Sequence, residues 1–216
     1  MAQAAVQDEF ESWWATEGDW VEEPNYRRKG MSGVQCIEHD GKKLYVKRMT
    51  QHLFHSVRYP FGRPTIVREI EVINELAHAG VIVPKIVYGN ATKVNGEWRA
   101  LLITEDMKGF VSIEEWYKQH AVTPYPDEVR DAMLNAVALA FKKMHSVNRQ
   151  HGCCYVRHIY VKTEGTVEAG FLDLEKSRRR LRRHKAAHHD FSQLEKYLSP
   201  IPKADWEQVK AYYYAL

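Results

Sequence analysis

The sequence has 216 residues, 44% of them hydrophobic and 27% charged, which is enough for a proper core and excludes a disordered or fibrous chain. Its net charge of +3 is too small to imply nucleic acid by itself, and no apolar stretch approaches the roughly 20 residues of a membrane-spanning helix. Three cysteines, two of them adjacent, form neither a disulfide framework nor a CxxC zinc spacing. The start, MAQAAVQDEFESWW, is acidic where a signal peptide is basic and then apolar, so a cytoplasmic protein is expected.

After a start bearing Trp13, Trp14 and Trp20, the run RRKGMSGVQCIEHDGKKLYVKRM reads as a glycine-bearing loop followed by a β-hairpin turning at Asp40-Gly41. TIVREIEVINELAHAG predicts an amphipathic helix, with Ile66, Ile70, Ile73 and Ala77 on one face, Pro64 before it and Gly80 after it. VIVPKIVYG and WRALLITED predict two more strands around the turn-prone NATKVNGE. Two helices follow: SIEEWYK, with Ser112 and Glu115 in capping-box spacing, and PDEVRDAMLNAVALAFKKMHSV, opened by proline and acidic residues. HGCCYVRHIYV, TEGTVEA and FLDLEKSRRR then predict a loop, a strand, a turn and a strand that ends in charge. The chain from His188 onward reads as helical.

Phosphoryl transfer needs a cover over the phosphates, a lysine to hold them, an acid to hold the lysine, metal ligands and a group that positions the acceptor. Gly30 and Gly33, with the Ser32 hydroxyl between them, suit such a cover or simply a turn. Lys47 ends an apolar strand as a kinase strand lysine does, or as a solvated lysine does. Glu69 lies among apolar neighbours on the inner helix face, where a carboxylate needs a cation, and Lys47 is the obvious one. Asp173 at a strand end fits a Mg²⁺ ligand or a turn cap. His158 fits a second ligand, although imidazole suits softer ions than Mg²⁺, or a structural histidine.

These elements in this order resemble the lipopolysaccharide core kinase (Kdo/WaaP) family, in its InaA-like branch. The pieces that carry the likeness are YVKRM, REIEVINELAHAGVIVPKIV, MHSVNRQHGCCYVRHIYV and FLDLEKSRRR, and it runs from about Trp20 to about Tyr197. CCYVRHIYV is the most diagnostic, because the family's catalytic loop similarly carries Cys-Tyr followed by a histidine. The resemblance implies an α+β, protein-kinase-like fold in a single domain. A small antiparallel-sheet upper lobe would span about 18–105, a hinge about 105–110, and a reduced, mainly helical lower lobe about 111–216.

It further implies that Lys47 holds ATP phosphates and Glu69 orients Lys47, while Asp173 and His158 bind Mg²⁺ or Mn²⁺. Thr104 to Met107 would accept the adenine, with Glu105 and Met107 as its contacts, and Asp190 would brace the catalytic loop. Family kinases read His-Arg-Asp-Cys-Tyr where this chain reads His151, Gly152, Cys153, Cys154 and Tyr155, so Cys153 stands at the position of the catalytic aspartate. A thiol with an unperturbed pKa near ~8.5 is a poor substitute for a carboxylate base.

Two functions are therefore expected: an ATP-dependent kinase of a sugar hydroxyl in the lipopolysaccharide inner core, or a nucleotide-binding pseudokinase that regulates an envelope or acid-stress response. The cations from Lys176 to Lys185 suit a solvated face, an anionic core-sugar substrate or the anionic inner leaflet. The vicinal Cys153 and Cys154 also admit a redox-sensor reading.

Overall fold

The structure is a computed structural model that describes residues 2–27, 30–57, 59–121 and 125–216. The chain divides into two compact units: residues 1–71 with 84–106, and residues 72–83 with 107–216. Among the described residues no helix is long and apolar enough to cross a membrane.

The first unit is a five-stranded antiparallel sheet in the order β1-β2-β3-β7-β6, built from β1 (Asp19–Arg27), β2 (Gly30–His39), β3 (Lys42–Thr50), β6 (Ile86–Val94) and β7 (Glu97–Glu105). A small hairpin, β4 (Leu53–Ser56) and β5 (Tyr59–Pro64), precedes helix α2 (Thr65–His78). The expected β2–β3 turn is present, with Asp40 and Gly41 both at positive φ, 50° and 70°. The segment NATKVNGE is mostly strand rather than turn: β6 runs to Val94, and only Asn95 and Gly96, at φ 52° and 83°, reverse the chain. VIVPKIV likewise gives its strand from Ile86 onward, while Ile82 makes a single parallel bridge to Gly170.

Helix α1 (Ala2–Trp14) and strand β1 were not expected from the sequence. The pleat of β3 explains where α1 sits, because successive side chains of a strand leave by opposite faces. Leu44, Val46 and Arg48 point one way; Tyr45, Lys47 and Met49 point the other. Leu44 and Val46 pack with Ile37, Leu101, Ile103 and the buried Phe10 of α1, and Trp13 and Trp14 lie against this cluster. Burying a ring such as Phe10 contributes roughly 1.5–3 kcal/mol. Arg48 is itself buried and closes the end of α1: it donates to the carbonyls of Trp13 (3.3 Å), Trp14 (3.2 Å) and Thr16, and to Oε1 of Gln35. These are the carbonyls that a helix C-terminus leaves without internal partners.

The opposite face carries α2. Thr65 donates its hydroxyl to the Met49 sulfur at 3.2 Å, and Ile70 reaches β6 at Gly89, where an added Cβ would come within 2.6 Å of the Ile70 Cδ1.

The second unit is mainly helical. It holds α3 (Ile113–Gln119), α4 (Asp127–Ser146), α5 (Arg183–Glu195) and α6 (Lys203–Ala215), a three-stranded sheet of β8 (Val111–Ser112), β10 (Ile159–Lys162) and β11 (Glu168–Phe171), and the short pair β9 (Arg149–Gln150) and β12 (Arg178–Arg179). The expected cap of α3 is made: the Ser112 hydroxyl accepts from the Glu115 amide at 3.1 Å. Phe141 of α4 centres the core, with Phe171, Phe191 and Trp206 at ring centroid distances of 4.9, 5.4 and 6.3 Å. The carboxy-terminal helical segment begins earlier than expected, at Arg183, so the end of the basic run, Arg183 and Lys185, lies on α5.

Replacing Arg48 by Met leaves the end carbonyls of α1 and the Gln35 amide without their donor, and should cost on the order of 3 kcal/mol in urea unfolding followed by tryptophan fluorescence. A loss below about 1 kcal/mol would mean that α1 is held by its apolar face alone.

Candidate functional site

In the first unit the pleat that sends Arg48 toward α1 sends Lys47 toward α2. There the Lys47 Nζ donates to Glu69 Oε2 at 2.8 Å. Glu69 is buried, with its helix neighbours Ile66, Val72 and Ile73 buried as well, and Lys47 keeps 17% of its side chain exposed. A carboxylate taken out of water in this way needs a partner charge, and the pair fixes the ammonium on one face of the sheet.

Gly30, Ser32 and Gly33 do not lie in a loop. They belong to β2, paired with Arg27, Asn25 and β3, and the preceding Arg28 and Lys29 lie outside the described residues. Packing accounts for both glycines: a Cβ on Gly33 would stand 2.8 Å from the Trp20 ring, and one on Gly30 would meet the Thr50 carbonyl.

At the end of β7 the Glu105 carboxylate accepts from Lys42 at 2.8 Å and from Lys85 at 3.2 Å. These two lysines hold it below the usual carboxylate range. The Glu105 amide donates to the Lys85 carbonyl at 2.9 Å, and the Asp106 amide to the Lys43 carbonyl at 3.0 Å. Met107 opens the second unit, and its carbonyl accepts from the Phe110 amide at 2.9 Å.

The second unit gathers the remaining candidates around one buried carboxylate. Asp190 of α5 accepts from the amides of His151 (2.6 Å) and Gly152 (3.2 Å), and pairs with His145 Nε2 and His189 Nδ1, each at 3.1 Å. Burial pushes its pKa up, but the bonds from His145 and His189 outweigh that and hold it at about 2. Gly152 sits at φ 80°, and a Cβ there would collide with the Lys176 carbonyl, so no larger side chain fits at this position. The Cys154 amide donates to Gln193 Oε1 at 2.8 Å, a second tie from the loop to α5.

This anchored loop brings Cys153, His158 and Asp173 together, with one ligand-type atom from each within 4.8 Å of the others. His158 Nδ1 lies 2.7 Å from the Cys153 carbonyl, which can only accept, so Nδ1 donates and the lone pair of the neutral ring is on Nε2. Nε2 stands 3.6 Å from Asp173 Oδ2 and accepts from Arg157 Nε at 3.3 Å. Asp173 has left-handed backbone, φ 56°, a conformation that aspartate tolerates better than most side chains. Lys176 Nζ is 3.8 Å from the Cys153 sulfur. Burial and then the Asp173 charge push the Cys153 thiol up to about 11, and burial pushes Cys154 well up as well. Thiols that keep their protons are weak nucleophiles.

A carboxylate and an imidazole lone pair at this separation fit a divalent cation that completes its shell with water and phosphate oxygens. The basic run resolves into different roles. Arg179 donates to Glu75 Oε1 at 2.6 Å, where Arg149 reaches Oε2 at 2.5 Å, Arg180 donates to Gln150, and Arg182, Arg183 and Lys185 are exposed near the start of α5. Glu75 was missed in the sequence, since nothing local distinguishes it from the other polar residues of α2.

A family model described as the lipopolysaccharide kinase (Kdo/WaaP) family matches residues 11–213. The chain is 82% identical over 216 residues, the full length of both, to Protein InaA of Escherichia coli (strain K12). It is 28% identical over 116 residues to the lipopolysaccharide core heptose(I) kinase WaaP of the same strain, covering 51% of this chain and 44% of that kinase. To the WaaP of Pseudomonas aeruginosa it is 26% identical over 103 residues, 47% of this chain and 38% of that one. A solved structure of WaaP in complex with acyl carrier protein superposes with a TM-score of 0.72 at 20% identity, over 96% of this chain and 83% of the other, which shows a shared fold.

Because Asp190 ionises more readily in the folded chain than an ordinary aspartate, its contribution is present above pH ~4 and is lost as pH falls toward ~2. Urea unfolding across that range should lose roughly 2 kcal/mol from this group. Asp190→Asn should be destabilised at pH 7 and should lack that part of the acid loss; an unchanged acid limb would show that the carboxylate is not what holds the loop.

Proposed function

Since this chain belongs to the lipopolysaccharide kinase (Kdo/WaaP) family, we propose that it is an ATP-dependent phosphotransferase directed at a sugar hydroxyl of the lipopolysaccharide inner core, slowed by Cys153 at the position of the usual aspartate. The observation that carries this reading is the part-buried Lys47–Glu69 ion pair at 2.8 Å, the pair that a kinase strand and helix use to present an ammonium to phosphates. In this reading Lys47 neutralises nonbridging oxygens of ATP, and Glu69 keeps its ammonium charged and oriented. Ser32 on β2 and the backbone at Glu105 and Met107 supply further nucleotide contacts.

In the second unit Asp173 and His158 would hold the divalent cation. When bound, that cation offsets the charge on the β- and γ-phosphates. The sugar hydroxyl oxygen forms the new bond to the γ-phosphorus, the bond to the ADP oxygen breaks, and the hydroxyl proton leaves to solvent. Cys153, which keeps its own proton to about 11, does not take it. Arg182, Arg183 and Lys185, exposed near the start of α5, suit the phosphorylated and carboxylated sugars of such an acceptor at an anionic membrane surface in the cytoplasm.

The buried, protonated thiol also favours a second reading: a pseudokinase that binds nucleotide and acts through a partner in an envelope or acid-stress response.

Calorimetry should give MgATP binding that is lost in Lys47→Ala and in Asp173→Ala. Cys153→Asp should raise label transfer to dephosphorylated core oligosaccharide by about 10²–10⁴-fold. Binding with no transfer in either the wild type or Cys153→Asp would select the pseudokinase. Binding untouched by Lys47→Ala would remove both readings.

A further inference from the structure

We propose that Cys153, His158 and Asp173 form a binding site for a thiophilic divalent cation of the zinc class, in which the Cys153 sulfur becomes a ligand as its proton is displaced to solvent by the ion. The proposal rests on the reading of Asp173 and His158 as metal ligands, and it changes the ion they select. A hard cation such as Mg²⁺ takes oxygen ligands and retains its water, whereas a set of one sulfur, one imidazole nitrogen and one carboxylate oxygen belongs to zinc and its neighbours. The three ligand-type atoms lie within 4.8 Å of one another. Three protein ligands with a fourth position left for water or an incoming oxygen is the arrangement of catalytic rather than structural zinc sites.

The separation of the imidazole and the carboxylate fits such an ion. His158 Nε2 and Asp173 Oδ2 are 3.6 Å apart, too far for a hydrogen bond. Two ligands at about 2.0 Å from one ion at a tetrahedral angle stand about 3.3 Å apart, so a shift of a few tenths of an ångström closes the pair on a metal. The histidine is already oriented for it. Its Nδ1–H is held by the Cys153 carbonyl at 2.7 Å, the kind of bond by which a metal-ligating imidazole is fixed in its tautomer and aimed. The carbonyl that aims His158 therefore belongs to the residue whose sulfur completes the set.

Cys153 is held from both sides. The Gly152 amide is bound by Asp190 and the Cys154 amide by Gln193, so the loop that presents the sulfur is anchored before any ion arrives. Two cations stand near the ligand atoms, Lys176 at 3.8 Å from the sulfur and Arg157 at 3.3 Å from His158 Nε2. Both residues are exposed and have long, flexible side chains, which swing outward when a metal takes those lone pairs.

The test uses the full chain without nucleotide, with Zn²⁺ and Co²⁺ salts as the probes. Calorimetry should find one Zn²⁺ per chain. Co²⁺ should produce a thiolate-to-cobalt charge-transfer band in the near ultraviolet that Zn²⁺ removes. Cys153→Ser should abolish the band, His158→Gln should weaken Zn²⁺ binding by at least about 100-fold, and Cys154→Ser should change neither. Far-ultraviolet circular dichroism checks that each variant is folded. Should Cys153→Ser fail to fold, the partly exposed His158→Gln decides, and unchanged Zn²⁺ affinity overturns the site. A wild type without the band, or a band that follows Cys154 or Cys36 in place of Cys153, also overturns it. MgATP binding in the same samples is a separate readout: the band with no MgATP binding supports the cation site and removes the kinase reading, whereas MgATP binding with no band overturns the cation site alone.

Discussion

The second unit is organised around a charge that it has taken out of water. The Asp190 carboxylate is fully buried, which alone would cost several kcal/mol, and it is kept ionised by two backbone amides and two imidazole nitrogens. Those four donors come from three places: the end of α4, the loop after β9, and α5 itself. One side chain therefore sets the path of the loop from His151 to Gly152. Everything further along the loop inherits that path, from the glycine that passes against the Lys176 carbonyl to the Cys153 carbonyl that aims His158 at Asp173.

In the first unit a similar economy rests on the pleat of one strand. Lys47 and Arg48 are consecutive cations on β3, and they end in opposite environments because neighbouring side chains leave a strand by opposite faces. Arg48 gathers the carbonyls at the end of α1 and carries no ion pair with a carboxylate among the described bonds. Lys47 meets Glu69 and stays partly exposed, which leaves its ammonium able to serve an anion besides its partner.

The thiol of Cys153 bears on the chemistry of the loop in two directions. As a base the thiol is weak, since burial and the Asp173 charge keep its proton on. As a ligand its sulfur changes which cation the neighbouring imidazole and carboxylate prefer. The two proposals meet at this one residue and are separable by experiment, because one is read in transferred phosphate and the other in a sulfur–metal absorption. The basic run is similarly divided: Arg179 and Arg180 are tied to Glu75 and Gln150, while Arg182, Arg183 and Lys185 stand exposed near the start of α5.

Local signals were legible wherever the information lies within a few residues. The Asp40-Gly41 turn, the start of α2 after Pro64 and its end near Gly80, and the Ser112 cap of α3 each follow from the φ or hydrogen-bonding demands of one short segment, and each is present. Lys47 and Glu69 were also legible as a pair, because a buried helix carboxylate demands a cation and the strand before it offers one. The rest depended on partners distant in the chain. Helix α1 is closed by Arg48, Gly33 makes room for Trp20, Glu75 joins two short strands from α2, and the aim of His158 comes from a backbone carbonyl that carries no side-chain signature. Sequence by itself determined which residue types the chemistry has to work with, including the thiol at Cys153. Only the tertiary structure decided what each one faces, because burial, strand pleat and hydrogen bonds across tens of residues are set when the chain packs and not before.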